Sequence, residues 1–123
     1  MSTLEVSNLN DGTTTVATTF ITGGSAKAWV SYNGQTNAIK SSLNTSSMTD
    51  NATGDFTQNF TSSFDGTDNA CSLGSKSNQT TNNGNAIGLA PDSSGSQLAI
   101  VVYEVGTKVD SGNNFFLTAG NLA

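Results

Sequence analysis

Residues 55–60, Asp-Phe-Thr-Gln-Asn-Phe, put Phe56, Gln58 and Phe60 on one face of an extended chain and Thr57 and Asn59 on the other. A period of two does not suit a helix, whose faces recur every ~3.6 residues. Just upstream, Asn51 and Gly54 punctuate a turn. Earlier still, Trp29, Val30 and Tyr32 are the large and β-branched side chains that fill a pleated, half-buried surface. Asn33-Gly34 follows them and supplies the positive φ expected of a tight hairpin. Residues 26–60 therefore read as two strand-turn-strand units.

The composition of the chain points the same way. Its 123 residues are enough for one hydrophobic core and too few for two. Only 34% of them are hydrophobic and 11% charged, and Ser, Thr, Asn and Gly dominate the remainder. That mixture disfavours long helices and favours strands joined by turns. The apolar residues cluster into strand-length runs, which argues against a disordered chain. A chain this polar that still orders is expected to sit inside an assembly.

Two stretches carry a resemblance. AKAWVSYNG at 26–34 and NTSSMTDNATGDFTQNF at 44–60 resemble a pattern found in distal domains of bacteriophage fibre and other virion proteins, especially of marine phages. The likeness is strongest over 26–60 and continues more loosely towards Phe115. It implies a virion component, a homotrimer built mainly of β-strands, without enzymatic residues to transfer. The opening residues 1–11 are also similar to the beginnings of several marine phage structural proteins, which implies a docking role. An ordinary edge strand of the same domain is an equally good reading of that opening.

Along the chain, Leu4 and Val6 alternate with polar residues, Asp11-Gly12 turns, and Val16 and Phe20 are the bulky apolar side chains of residues 13–20. Thr22-Gly23-Gly24-Ser25 reads as a flexible break, which divides the chain into an N-terminal attachment segment at 1–23 and a β domain at 24–123. Residues 38–40 form a short strand, and the hydroxyl-rich residues 41–47 an irregular connection. A strand passes through Cys71. Residues 74–85 read as a long exposed loop, the place where a displayed domain would touch a host surface, through Asn78, Asn82 and Asn83. Residues 86–90 form a strand that Pro91 stops. Residues 97–105 are the strongest strand: Leu98, Ile100 and Val102 line one face, and Ala99, Val101, Tyr103 and Val105 the other. Two apolar faces imply cover on both sides. We assign the second cover to a neighbouring subunit, with Leu98, Ile100, Val102 and Tyr103 as the trimer interface. The last strand, 114–118, is expected to pair back onto this one across a turn at 110–113.

Several chemistries are excluded. There is no histidine, so neither a Ser-His-Asp nor a Cys-His nucleophile can form. A lone Cys71 makes no internal disulfide and no soft metal site, and reads as a small packed residue. Asp50, Asp55, Asp65 and Asp68 could serve as paired carboxylates, but acids beside Gly and Asn are usually turn formers. Asp65, Asp68 and Asn69 offer oxygen ligands to calcium, though not at the spacing of a twelve-residue calcium loop. Four lysines and no arginine against nine acids leave no basic patch for nucleic acid. No stretch approaches the apolar length of a membrane span or a signal peptide.

The sequence thus leads us to expect an all-β, antiparallel, sandwich-like and specifically jelly-roll-like domain with a short N-terminal extension, assembled as a homotrimer. No cofactor and no enzymatic activity are expected. The expected role is that of a fibre, knob or decoration protein on capsid or tail, with Leu4, Val6 and Leu9 docking it to other phage structural proteins, assembled in the host cytoplasm. The competing role is a carbohydrate-binding module or fibre tip that recognises host glycan, stacking sugars on Trp29, Tyr32 and Tyr103. The strand context of Trp29 leads us to expect it buried in the core, which would count against the latter.

Overall fold

Gly54 shows how the turn and strand signals of the sequence become a fold. It is buried at φ +65° in the two-residue turn between paired Ala52 and Asp55. Its carbonyl accepts the Val102 N–H at 2.8 Å, and its own N–H donates to Asp110 Oδ1 at 2.7 Å. A computed structural model describes residues 1–66, 69–76, 85–89, 94–104 and 106–123, with backbone only at 85, 86 and 89.

After two short strands, β1 (Asn8–Asn10) and β2 (Thr15–Ala17), and a helix, α1 (Thr18–Gly24), the chain forms β3 (Ala26–Asn33), β4 (Ala38–Leu43), β5 (Thr45–Ala52) and β6 (Asp55–Phe60). There follow β7 (Ala70–Ser75), β8 (Asn85–Leu89), β9 (Gln97–Glu104), β10 (Thr107–Lys108) and β11 (Asn114–Ala119). One antiparallel sheet runs β4-β3-β11-β7. The second runs β5-β6-β9, with β8 and β10 also paired to β9.

The inner faces meet as alternation requires. Ala28, Val30, Tyr32 and Phe116 from the first sheet pack with Phe56, Phe60, Leu98, Ile100 and Val102 from the second. Tyr32 and Phe56 touch edge to face across the gap, ring centres 5.2 Å apart. Phe64 closes one end from within a loop: it is buried, meets Phe60 edge to face with ring centres 4.8 Å apart, and donates its N–H to the Gly95 carbonyl at 2.7 Å.

The all-β, sandwich-like class is as expected, but several details differ. In a jelly roll successive strands cross between sheets. Here β3-β4, β5-β6 and β8-β9 stay together as antiparallel neighbours, so the topology is not that of a jelly roll. Residues 41–47 are not an irregular connection but the end of β4 and the start of β5. Every residue of β4 is exposed, so this edge strand needs no apolar alternation. The chain passes from one sheet to the other at Asn44, whose φ is +51°.

Gly34 does not take a positive φ; that conformation falls to Asn37. A glycine is needed at 34 because a Cβ there would lie 2.7 Å from Phe56 Cζ and 3.0 Å from the Ser111 carbonyl. Residues 22–24 are the last turn of α1 rather than a break. β11 pairs with β3 and β7 instead of β9, because residues 110–113 carry the chain across to the other sheet. Finally, Leu98, Ile100 and Val102 face the core of their own chain, between 0% and 4% exposed, and so are not an interface. The opposite sheet, not a neighbouring subunit, covers that face.

Candidate functional site

Alternation also fixes what the two outer faces display. On β5 and β6 the outward positions are polar, and Thr49, Asn51, Asp55, Thr57 and Asn59, with Gln97 from the start of β9, line an open groove of about 640 Å³; further along β9 the outward Ala99 and Val101 are apolar. Their side chains are cross-linked. The Asn59 amide donates to Ser47 Oγ at 3.1 Å and Thr49 Oγ1 at 3.0 Å, and the Asn51 amide to Thr57 Oγ1 at 2.9 Å. Asp55 Oδ2 pairs with Lys108 Nζ at 2.9 Å, a bond that raises the lysine's pKa and keeps it charged. Tyr103 is half-buried on this same face, opposite Lys108 in the register. The hydroxyls that accept these bonds retain O–H groups that can donate. The groove is thus a fixed array of donors and acceptors, without an acid-base pair. Asp50 sits opposite Phe56 and Asp55 opposite Ala52, so the two carboxylates occupy different faces.

The outer face of the other sheet is apolar at its centre. Leu43, Trp29 and Leu117 lie side by side across β4, β3 and β11, and Phe115 stands one outward position along from Leu117. Leu43 is 49% and Phe115 46% exposed, and Trp29 and Leu117 are half-buried. The expectation that Trp29 belongs to the core is therefore corrected. Tyr32 is the core residue, and Trp29 points outward. The three proposed sugar platforms are separated: Trp29 on one outer face, Tyr103 on the other, Tyr32 between the sheets.

Residues 1–24 contain no buried residue, and Leu4, Val6, Leu9, Val16, Phe20 and Ile21 are all exposed. The segment is nevertheless ordered. Asp11 Oδ1 accepts the N–H groups of Thr13 at 2.9 Å and Thr14 at 2.7 Å, which lowers the Asp11 pKa and closes the turn at Gly12. Thr18 Oγ1 donates to the Val6 and Ser7 carbonyls, both at 3.0 Å, so the start of α1 is pinned to the incoming chain.

Other expected sites resolve as follows. Asn78, Asn82 and Asn83 lie outside the described residues, as does Asp68 of the calcium turn. Of its other members, Asp65 is exposed, and the Asn69 amide donates to the Gly66 carbonyl at 3.4 Å. Among the described residues no three His, Cys, Asp or Glu side chains gather as metal ligands. Cys71 is half-buried with Sγ 3.9 Å from Thr118 Oγ1, and burial pushes its thiol pKa up. No described helix is long and apolar enough to cross a membrane. The polar groove was not anticipated, although the outward Thr57 and Asn59 were its visible part.

No known protein family, curated protein or solved structure matches this chain.

Proposed function

We propose that the chain is a structural component of a bacteriophage virion, a fibre, knob or decoration protein of capsid or tail, attached to other phage structural proteins through residues 1–23. The observation that carries the reading is the contrast between a sandwich that closes its own core and an ordered N-terminal segment whose large apolar side chains are all exposed. Exposed apolar surface of that kind marks a contact with another macromolecule. The likeness of residues 26–60 to distal virion domains supplies the class of particle. A homotrimer, which that likeness implies, would have to use surface other than Leu98, Ile100 and Val102.

A chain beginning at Gly24 tests this reading. It should fold with nearly unchanged stability, because none of residues 1–23 is buried, yet be missing from purified particles by mass spectrometry. Incorporation of the shortened chain at the normal level would refute attachment through this segment.

Glycan recognition at the host surface is the second reading, favoured by the cross-linked amides and hydroxyls of the groove with Tyr103 on the same face. Such groups hydrogen-bond sugar hydroxyls while a tyrosine ring stacks on the sugar. Glycan-array binding that Asn59→Ala and Tyr103→Ala both abolish would support it. Binding indifferent to both changes would place the sugar elsewhere.

A further inference from the structure

We propose that the outer face of the β4-β3-β11-β7 sheet receives the N-terminal segment of a second copy of this chain. The inference rests on reading residues 1–23 as an attachment element, and it gives that element a second copy of this chain as a partner in addition to the other structural proteins. Among the described residues the chain exposes two apolar surfaces, one on each partner of such a contact. On the sheet, Leu43, Trp29 and Leu117 form a continuous row, and Phe115 borders a notch, because the residue opposite it on β7 is Gly74. A Cβ at Gly74 would meet no atom closer than the Phe115 carbonyl at 3.9 Å, so the trough beside that ring is open. On the segment, Leu9, Val16 and Ile21 line one hollow and Leu4 and Val6 an adjoining one, while Phe20 projects at 72% exposure.

Charge decides which surface meets which. The four strands of the sheet carry Lys27 and Lys40 and no carboxylate, whereas residues 1–24 carry Glu5 and Asp11 and no basic side chain. Both lysines bond to uncharged oxygens: Lys27 Nζ to the Ile21 carbonyl at 3.0 Å and to Ser25 Oγ, Lys40 Nζ to the Gly112 carbonyl at 3.0 Å and to Asn113 Oδ1. Two sheets stacked face to face would bring lysines to lysines. A segment laid on a sheet brings carboxylates to lysines and apolar side chains to the Trp29 row. The chain's own α1 joins β3 through extended Ser25 and is held at that end of the strand by Lys27, while Leu43 and Phe115 further along the face remain exposed.

Light scattering on the full chain, alone and as Leu43→Lys and Phe20→Ser variants, tests this. The parent should self-associate to a multiple of 12.6 kDa at tens of micromolar or below. Each variant should weaken association by about tenfold or more with an unchanged unfolding midpoint, because both positions are exposed. Mixing the two variants should restore complexes, since one supplies an intact segment and the other an intact sheet face. Leu43→Gln replaces the lysine variant should that one fold poorly. A parent that stays monomeric at concentrations on the order of 100 µM overturns the proposal. Loss of association in Leu43→Lys but not in Phe20→Ser also overturns it, in favour of face-to-face stacking. A monomeric parent that still enters particles through residues 1–23 would leave the attachment reading standing.

Discussion

Asn44 and Ser62 exchange two hydrogen bonds: the Asn44 amide donates to the Ser62 carbonyl at 3.0 Å, and the Ser62 N–H donates to Asn44 Oδ1 at 2.7 Å. A side-chain amide here imitates a strand neighbour at the point where the chain changes sheet. Asn is suited to it twice over, because it also tolerates the left-handed φ of +51° found there.

Replacing Asn44 should separate these two contributions. Asn44→Gly keeps the backbone conformation and loses both bonds, for an expected cost of about 1–2 kcal/mol. Asn44→Ala adds the left-handed penalty, about 1 kcal/mol more. Urea unfolding of the three proteins would measure the ranking, and equal stability of the Ala and Gly variants would show that φ is not at issue.

Glycine substitutions should divide sharply by surroundings. At Gly54 a Cβ would sit 2.6 Å from both the Val102 carbonyl and the Val109 N, backbone atoms that cannot step aside. Gly54→Ala is expected to cost more than about 3 kcal/mol or to prevent folding. Gly106 has φ +80° but nothing within 4 Å of a Cβ, so Gly106→Ala should cost only about 1 kcal/mol. Thermal unfolding of the two variants would show the gap.

That contrast marks what the sequence could and could not convey. The inward residues of β3, β6, β9 and β11 were legible because a half-buried strand must alternate, and Phe56, Gln58 and Phe60 do. β4 was legible only over 38–40, and residues 41–47 were not legible as strand, because an exposed edge strand and its hydroxyl-bearing neighbour have no apolar face to enforce a period. Nor was the partner of β11. Two apolar faces on residues 97–105 signalled cover on both sides, but periodicity cannot say whether the cover is another sheet of the same chain or a second subunit. The outer faces were half legible: alternation along residues 114–118 puts Phe115 and Leu117 on one face, whereas Leu43 joins Trp29 only through a register that depends on β4.

Gln58 should be replaceable with profit. It is fully buried between the sheets, its amide donates to Thr45 Oγ1 at 2.8 Å, and its Oε1 has no hydrogen-bond partner. A buried acceptor left without a partner costs about 1–3 kcal/mol. Gln58→Met conserves volume and removes that atom. Thr45 is not orphaned, since its hydroxyl also reaches the Trp29 carbonyl at 3.2 Å and the Leu43 carbonyl at 3.3 Å. We expect the variant to be as stable as the parent or about 1 kcal/mol more so by denaturant unfolding. A loss of 2 kcal/mol or more, on the order of a broken polar network, would mean that the amide is needed.

Tyr32 should make the fold sensitive to alkali. Its ring is buried and its hydroxyl donates to Asn37 Oδ1 at 2.6 Å. Burial, reinforced by the negative charges of Asp50 and Asp110, pushes the phenol up from 10.0 to about 12. The folded protein therefore holds this proton more tightly than the unfolded chain does. Its contribution to stability is complete below pH 10 and is lost as pH rises through about 12. In a Tyr103→Phe background, where Tyr32 is the remaining tyrosine, phenolate absorbance should lag well behind that of the urea-unfolded chain. Stability measured across the same range should fall, and Tyr32→Phe should flatten that fall while losing the Asn37 bond. A phenol that ionises near pH 10 with the sandwich still folded would contradict the burial on which this prediction depends.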